Sequence, residues 1–413
     1  MYKFDIIVLG VNMKVKINKL DNFGRGITYI NDKICFVKDA LPEEEVDITF
    51  IKEKSKYLEA QANSFITKSP LRIGPKCPYY NECGGCNLEH ISLEEENKFK
   101  IQKVNELLRK FTDYDIKIEC IKSNSEYNYR NKIILHSDGK VIGLYKDNSN
   151  DLISIDKCLL VNDKINYIIN FIKDINNIKS IEIRTSNDEK EVLLNIIGDI
   201  NDTDINKLLD VVDVLIVNNK VLSKKSSIIT NIGNKKYYLS NKSFFQVNKE
   251  TTKDLYDEVL NVVKSINPNK VLDLYCGTGS IGIYVSKYAK EIIGIEESKE
   301  AIEDANKNKI LNSVDNISFI NNKVEDEIDK FNNIDLIIVD PPRSGLDTKT
   351  KEQIKLIGPN SIIYVSCDPV TLMRDIKGLS DIYELKSIKL FNMFPRTYHC
   401  ESVSVLERRN VEK

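Results

Sequence analysis

From about residue 250 onward, short runs of apolar, β-branched residues recur at intervals filled by helical segments, and this alternation constrains the fold more than any other feature. The runs are KVLDLYC, EIIGIE, NISFI, IDLIIVD and SIIYVSC, separated by stretches such as SKEAIEDANKNKILN. Continuous apolar strands alternating with helices are the pattern of a parallel sheet buried on both faces. The C-terminal part, 241–413, is therefore expected to be a doubly wound, Rossmann-like α/β domain.

The rest of the chain reads differently. Residues 13 to 67 give short strand candidates, MKVKINKL, GITYI, KICFVKD and EVDITFIKEKSKYLEAQANSFIT, with turn signals at Asp21 to Gly26 and Leu41 to Glu44; this predicts a small OB-like β-barrel over 1–68. A cysteine-rich loop after Pro70 leads into a helix over 92–111, whose Leu93, Val104, Leu107, Leu108 and Phe111 form an apolar stripe. Beyond it, short β runs such as KIILHS and VIGLYK alternate with Asn-rich turns, so 69–240 is expected to be a central α+β domain. The chain is thus read as α/β and multidomain, in keeping with its 413 residues.

Composition excludes several classes. With 41% hydrophobic and 30% charged residues and no apolar run of membrane-spanning length, a soluble globular protein is expected. The opening MYKFDIIVLG lacks a small-residue cleavage site after its apolar stretch, which argues for a cytoplasmic protein without membrane contact. Nine cysteines, an odd number, suit metal binding or catalysis better than disulfides. A net charge of −2 gives no global attraction to nucleic acid, so an RNA site would have to be a local basic face.

Chemistry concentrates at the expected strand ends. Asp273-Leu-Tyr-Cys-Gly-Thr-Gly-Ser280 follows a buried strand and opens a helix, where a glycine-rich turn admits a nucleotide-like ligand. Gly277, Gly279 and Gly282 satisfy GxGxxG, but Asp273 stands four residues before the first glycine. A carboxylate there repels a pyrophosphate and can hydrogen-bond the ammonium group of S-adenosylmethionine, so this methyl donor is favoured over NAD. Glu296, closing the next strand, is a candidate for the donor's ribose hydroxyls, with a helix cap as the alternative. Asp340-Pro-Pro-Arg343, Ser366-Cys367-Asp368-Pro369 and Phe394 to Glu401 lie at further strand ends and should converge on one cleft. Cys367 stands at the mouth of the sheet rather than inside a strand, which sets it apart from an ordinary buried thiol.

DPPRSGL, YVSCDP and FPRTYHCESV, together with DLYCGTG and SFFQVN, resemble the RNA uracil-5-methyltransferases over most of the chain. The resemblance implies a thiolate of Cys367 adding to uracil C6, with Glu401 as the base that removes the C5 proton. It also implies donor contacts from Gln246, Tyr275, Ser280 and Asp340 beside those of Asp273, Gly277, Gly279 and Glu296, and a role for Arg343 in orienting the base or a phosphate. Asp368 stands where many members carry Asn, and Lys323 where they carry an acidic or amide residue. His399, Cys276, Cys400, Cys35 and Cys120 are read as structural.

Cys77, Cys83 and Cys86 form CxxxxxCxxC around Gly84-Gly85, with Cys158 farther on. Such a set suits zinc or an iron–sulfur cluster equally, and similarity to the cluster-bearing branch of the family favours [4Fe-4S], expected to hold an RNA-facing surface in shape. The N-terminal barrel resembles a TRAM domain, with Lys14, Lys16, Lys19, Arg25, Lys52, Lys54 and Lys56 as candidate phosphate contacts. The expected partner is RNA, 23S ribosomal RNA by analogy, with transfer RNA as the alternative; no obligate protein partner is indicated. Competing readings are an N6-adenine methyltransferase, disfavoured because Arg343 replaces the stacking aromatic, and a non-catalytic RNA-binding iron–sulfur protein.

Overall fold

The computed structural model describes residues 12–409; the opening MYKFDIIVLG run lies outside them. The chain divides into two compact units, one comprising residues up to Lys103 with Arg396–Tyr398, the other Val104–Pro395 with the chain from His399.

The first unit is built on a six-stranded sheet in the order Asn12–Lys16, Glu45–Glu53, Tyr57–Thr67, Lys33–Lys38, Gly26–Ile30, Lys19–Leu20. All pairings are antiparallel except Lys33–Lys38 with Tyr57–Thr67. Strict alternation along the first half of Tyr57–Thr67 sends Leu58, Ala60 and Ala62 inward, into the core that holds Val37, Val46 and Ile48. Cys35 packs in this core and is fully buried, as its structural reading required.

The loop after the last strand is stapled to the sheet by a buried ion pair. Glu44, with no exposed side-chain surface, accepts from the Arg72 guanidinium at 2.7 Å and from the Leu41 and Ser69 amides at 2.8 and 3.2 Å. Burial pushes the Glu44 carboxyl up, but Arg72 and the two amides outweigh it and hold it below its usual range. Arg396–Tyr398 is fixed within this unit as well: the amide of Arg396, in a left-handed conformation at φ 71°, donates to Glu96 at 2.8 Å, and its guanidinium donates to the Ile91 carbonyl.

The second unit carries two large sheets. One is seven-stranded, in the order Leu152–Ser154, Ile142–Tyr145, Lys132–Ser137, Ile178–Thr185, Val192–Gly198, Val214–Val217, Lys220–Val221. The other is eight-stranded, in the order Ile317–Asn321, Glu291–Glu296, Lys270–Leu274, Leu336–Val339, Ser361–Ser366, Glu401–Arg408, Tyr383–Phe391, Glu119–Ile121. Its first five strands are parallel, and Glu401–Arg408 runs antiparallel to both neighbours. The strand order reverses direction at Lys270–Leu274, so the crevice between its C-terminal end and that of Leu336–Val339 is a topological switch point, where such sheets bind ligands. Leu336–Val339 and Ser361–Ser366 are buried at every position, which explains why their sequences are continuous apolar runs rather than alternating ones.

One strand is not legible as part of this sheet. Glu119–Ile121 lies in the stretch read as central domain, yet pairs parallel with Tyr383–Phe391 at the sheet edge and carries Cys120. Three residues are too few for a periodic signal. The helix Leu93–Phe111 forms as expected, with Glu94 to Glu96 in its first turn, Arg109 and Lys110 in its last, and Val104, Leu107 and Leu108 buried. Among the described residues no helix is long and apolar enough to cross a membrane.

Replacing Arg72 by Met strands a buried carboxylate. Loss of roughly 3 kcal/mol of stability is expected, read from urea unfolding of the native and R72M chains at neutral pH.

Candidate active site

The donor loop is shaped by its glycines. Tyr275, Gly277 and Gly279 all adopt positive φ, at 60°, 53° and 71°. A Cβ on Gly279 would lie 2.4 Å from the Phe319 ring, and one on Gly282 would lie 2.8 Å from Asp273 Oδ2, so both positions require glycine for close packing. A Cβ on Gly277 would meet nothing within 4 Å; there the left-handed backbone leaves open space in front of the loop. Tyr275, a non-glycine residue in that conformation, is the strained member, and burial pushes its hydroxyl up to about 12.

Asp273, 1% exposed, spends one carboxylate oxygen on the Gly282 amide at 3.0 Å, and its other oxygen, Oδ1, has no hydrogen-bond partner. Burial, with repulsion from Asp340 and Glu296, pushes the carboxyl up to about 7 against the opposing Gly282 bond. Glu296 accepts from the Gly277 amide at 3.2 Å and from the Ser298 amide at 2.9 Å. It therefore pins the donor loop to the next strand and steadies the start of the following helix. Ser280 receives or donates a 2.7 Å hydrogen bond with the Tyr256 hydroxyl. The expected contact Gln246 is buried just before the helix Lys249–Ile266, and its carbonyl accepts from Asn131 at 3.3 Å; this bond runs through its backbone rather than its side chain.

The nucleophile and base candidates meet through strand register. Ser366 pairs with Ser402 in the last rung of the antiparallel ladder; Cys367 directly follows Ser366 and Glu401 directly precedes Ser402, so both lie at the same end of that pairing, where the Glu401 charge acts on the thiol. Cys367 is half-buried and Glu401 is 3% exposed with Oε2 unpartnered. Burial first, then the charges of Glu401, Asp340 and Asp368, push the Cys367 thiol up to about 12, with Arg343 pulling the other way. Burial and Asp340 likewise hold the Glu401 carboxyl well above its usual range, again opposed by Arg343. Asp340 ends the strand Leu336–Val339; the residue is half-buried overall, but its carboxyl lies deep enough for burial to raise it to about 7.

Asp368 has a clear local task. Its side chain accepts from the Val370 and Thr371 amides at 2.9 and 3.0 Å, capping the helix Pro369–Leu379 that follows the thiol. An Asn would serve equally there. Cys276 and Cys400 are buried packing residues, and His399 stands edge-on to Phe394 at 6.0 Å.

The strand ends thus gather Asp273, Asp340 and Glu401: Asp340 acts on both of the others, and all three act on the phenol of Tyr256. Buried carboxyls with unpartnered oxygens in front of an open glycine loop fit a ligand that brings positive charge and N–H donors. The thiol beside a buried base fits covalent catalysis with proton removal. Tyr256 was not legible: a tyrosine on the apolar face of a helix carries no signal apart from packing.

Among the described residues no group of three or more His, Cys, Asp and Glu side chains is arranged to hold a metal ion. Cys77, Cys83, Cys86 and Cys158 are all half-buried, and Cys83 Sγ accepts from the Gly85 amide at 3.4 Å. Of the expected phosphate contacts the lysines are exposed, while Arg25 is paired with Asp21 at 2.8 Å and packs over Phe36.

Residues 92–409 match the family described as tRNA (Uracil-5-)-methyltransferase, and residues 9–62 match the TRAM domain. An uncharacterized RNA methyltransferase of Clostridium tetani is 34% identical, the alignment covering 93% of each chain. One of Aquifex aeolicus is 32% identical over 96% of this chain and 98% of its own. Among solved structures, the Pyrococcus abyssi tRNA (uracil-54, C5)-methyltransferase in complex with S-adenosyl-L-homocysteine is similar with a TM-score of 0.80 and 26% identity, covering 95% of this chain and all of that one.

The buried carboxyls impose a pH dependence on the ligand-free protein. Folded Asp273 keeps its proton up to about 7, whereas the unfolded chain releases it near 3.8. The stabilising contribution is full below the lower value and is lost as pH rises through the higher one. Asp273→Asn should therefore shrink the fall in Tm between about pH 4 and about pH 8, measured by thermal melts of native and variant protein.

Proposed function

The chain belongs to the tRNA (uracil-5-)-methyltransferase family and is an RNA methyltransferase, and from that membership we propose that it methylates C5 of a uridine through a covalent Cys367 adduct. The placing of Cys367 and Glu401 at the same end of the Ser366–Ser402 pairing, with the Glu401 charge acting on the thiol, carries this reading. Uracil C5 is a weak nucleophile until a thiolate has added at C6, which moves an electron pair onto C5. S-adenosylmethionine, when bound, supplies the electrophilic methyl group. Asp273, with its unpartnered oxygen, would hold the donor's ammonium group, Asp340 and Gln246 would add further contacts, Glu296 would reach its ribose, and the Gly277–Gly279 loop would leave room for it.

Cys367 then acts twice. Its thiolate adds to C6; after C5 has received the methyl group, Glu401 takes the C5 proton, and the returning electron pair expels the thiolate from C6. The raised carboxyl of Glu401 suits a group that must accept a proton in a water-poor cavity. Positive charge from the bound donor and from Arg343 favours the thiolate over the thiol. An N6-adenine reaction would leave both Cys367 and Glu401 without a task.

We read the RNA as 23S ribosomal RNA, on the strength of the TRAM-type N-terminal domain, taken as a small barrel with exposed lysines, and the cysteine loop. Transfer RNA is the second reading, favoured by the likeness to the Pyrococcus abyssi enzyme. In either RNA the uridine must leave its stack to reach the cavity. Cys77, Cys83, Cys86 and Cys158 are read as ligands of a [4Fe-4S] cluster, with zinc as the alternative; the Gly85 amide aimed at Cys83 sulfur is the kind of donor that supports a cluster thiolate. A cytoplasmic setting belongs to the same reading.

Tritium release from RNA labelled at uracil C5 tests the reaction. Native protein should release it and Cys367→Ala should not, while Glu401→Gln should lose at least about a hundredfold in turnover and accumulate a denaturation-resistant protein–RNA adduct. No release by donor-binding native protein from either RNA would overturn the assignment. For the cysteine loop, anaerobic reconstitution with iron and sulfide should load the native chain, and Cys83→Ser should cut bound iron; equal iron in both would remove the cluster.

A further inference from the structure

A second buried carboxylate, outside the cavity, ties together the elements on either side of the nucleophile. Asp375 lies on the helix Pro369–Leu379, which begins just after Cys367, and it is fully buried. Its Oδ2 accepts from the Leu346 amide at 2.7 Å and from the Tyr364 hydroxyl at 2.9 Å; its Oδ1 accepts from Lys351 Nζ at 2.9 Å and Arg374 Nε at 3.0 Å. Arg374 also donates to the Ser344 carbonyl at 2.7 Å. Tyr364 lies on the strand that ends at Ser366. Strand and helix flanking the thiol therefore grip one turn, Pro342 to Leu346, the turn that carries Arg343.

The turn is built for that grip. Gly345 sits at φ 73° and its amide closes the turn on the Pro342 carbonyl at 2.8 Å; a Cβ on Gly345 would lie 2.4 Å from Asp375 Oδ2. Burying a carboxylate this completely is unfavourable unless every oxygen is satisfied, and both oxygens of Asp375 are. What the turn presents is Arg343, an exposed side chain whose many rotamers are limited only if its backbone is fixed. Around Cys367 stand the carboxyls of Glu401, Asp340 and Asp368, and Arg343 is the cation set beside them.

We propose that Asp375 is a positioning residue for methyl transfer: it anchors the Pro342–Leu346 turn to the nucleophile's own strand and helix, and so keeps the Arg343 guanidinium within electrostatic reach of the Cys367 thiol and Glu401. The proposal rests on Cys367 being the nucleophile, but its test needs neither RNA nor methyl donor.

The test is alkylation of Cys367 by iodoacetamide at neutral pH in the full-length chain, followed by mass spectrometry of the Cys367 peptide. Asp375→Asn should slow alkylation about tenfold, which corresponds to one unit in the thiol's pKa. Arg343→Gln should slow it comparably, and the double variant should be no slower than Arg343→Gln alone, the coupling expected when one residue acts through the other. Asp375→Glu should recover part of the rate. Gly345→Ala, which breaks the turn from its other side, covers the case in which Asp375→Asn does not fold, and its effect should likewise vanish beside Arg343→Gln. An unchanged rate in Asp375→Asn would overturn the proposal, and so would equal slowing with and without Arg343, since a general structural role acts regardless of that cation. If tritium release fails while this coupling holds, the uridine reading falls and the positioning role stands.

Discussion

The ladder between Ser361–Ser366 and Glu401–Arg408 is the constraint on which the site depends. A parallel sheet alone collects strand ends of one polarity at its upper edge, which brings Asp273, Glu296, Asp340 and Cys367 to a single crevice. Glu401 arrives from the opposite direction, at the start of an antiparallel strand. Because side chains in a ladder alternate strictly, a one-residue slip would turn Glu401 to the other face. Val403 and Val405, buried on the same face of the strand as Glu401, fix the register.

The crevice itself is an electrostatic compromise. Burial raises all three carboxyls, Asp340 raises Asp273 and Glu401 further, and the thiol beside them is raised as well. Such a cavity is poised for a cationic occupant, because one positive charge relieves several unfavourable interactions at once. Arg343 is the chain's own contribution, and it sits on a turn held by a separate, fully satisfied carboxylate at Asp375. The protein thus places one acid cluster with unpartnered oxygens where a ligand can satisfy them and another with complete satisfaction where rigidity is needed.

Much of this was readable in advance, for identifiable reasons. Four of the five parallel strands announced themselves because burial on both faces leaves continuous apolar runs, whereas the edge strand Ile317–Asn321 is mostly open; the donor loop stood out because Gly279 and Gly282 admit no Cβ. Cys367 stood out at the end of its run. Other elements left weaker marks. Glu119–Ile121 is too short for periodicity and owes its pairing to a partner far along the chain. Asp375 did leave a signal: it falls at helical spacing among Leu372, Ile376 and Leu379, a polar residue on a buried face. Tyr256 left none.

The sequence by itself determined which local conformations were available: strands where apolar residues run together, left-handed turns at Gly277 and Gly345, and a helix start where Asp368 precedes Pro369. Those choices follow from short-range sterics and hydrogen bonding, which act within a few residues. Only the tertiary structure decided that Cys367 and Glu401 would come to the same end of one strand pairing, that Glu296 would pin the Gly277 amide, and that Asp375 would hold the turn of Arg343. Each of these depends on burial and register between segments distant in the chain, and the raised carboxyls exist only once water has been excluded from the assembled crevice.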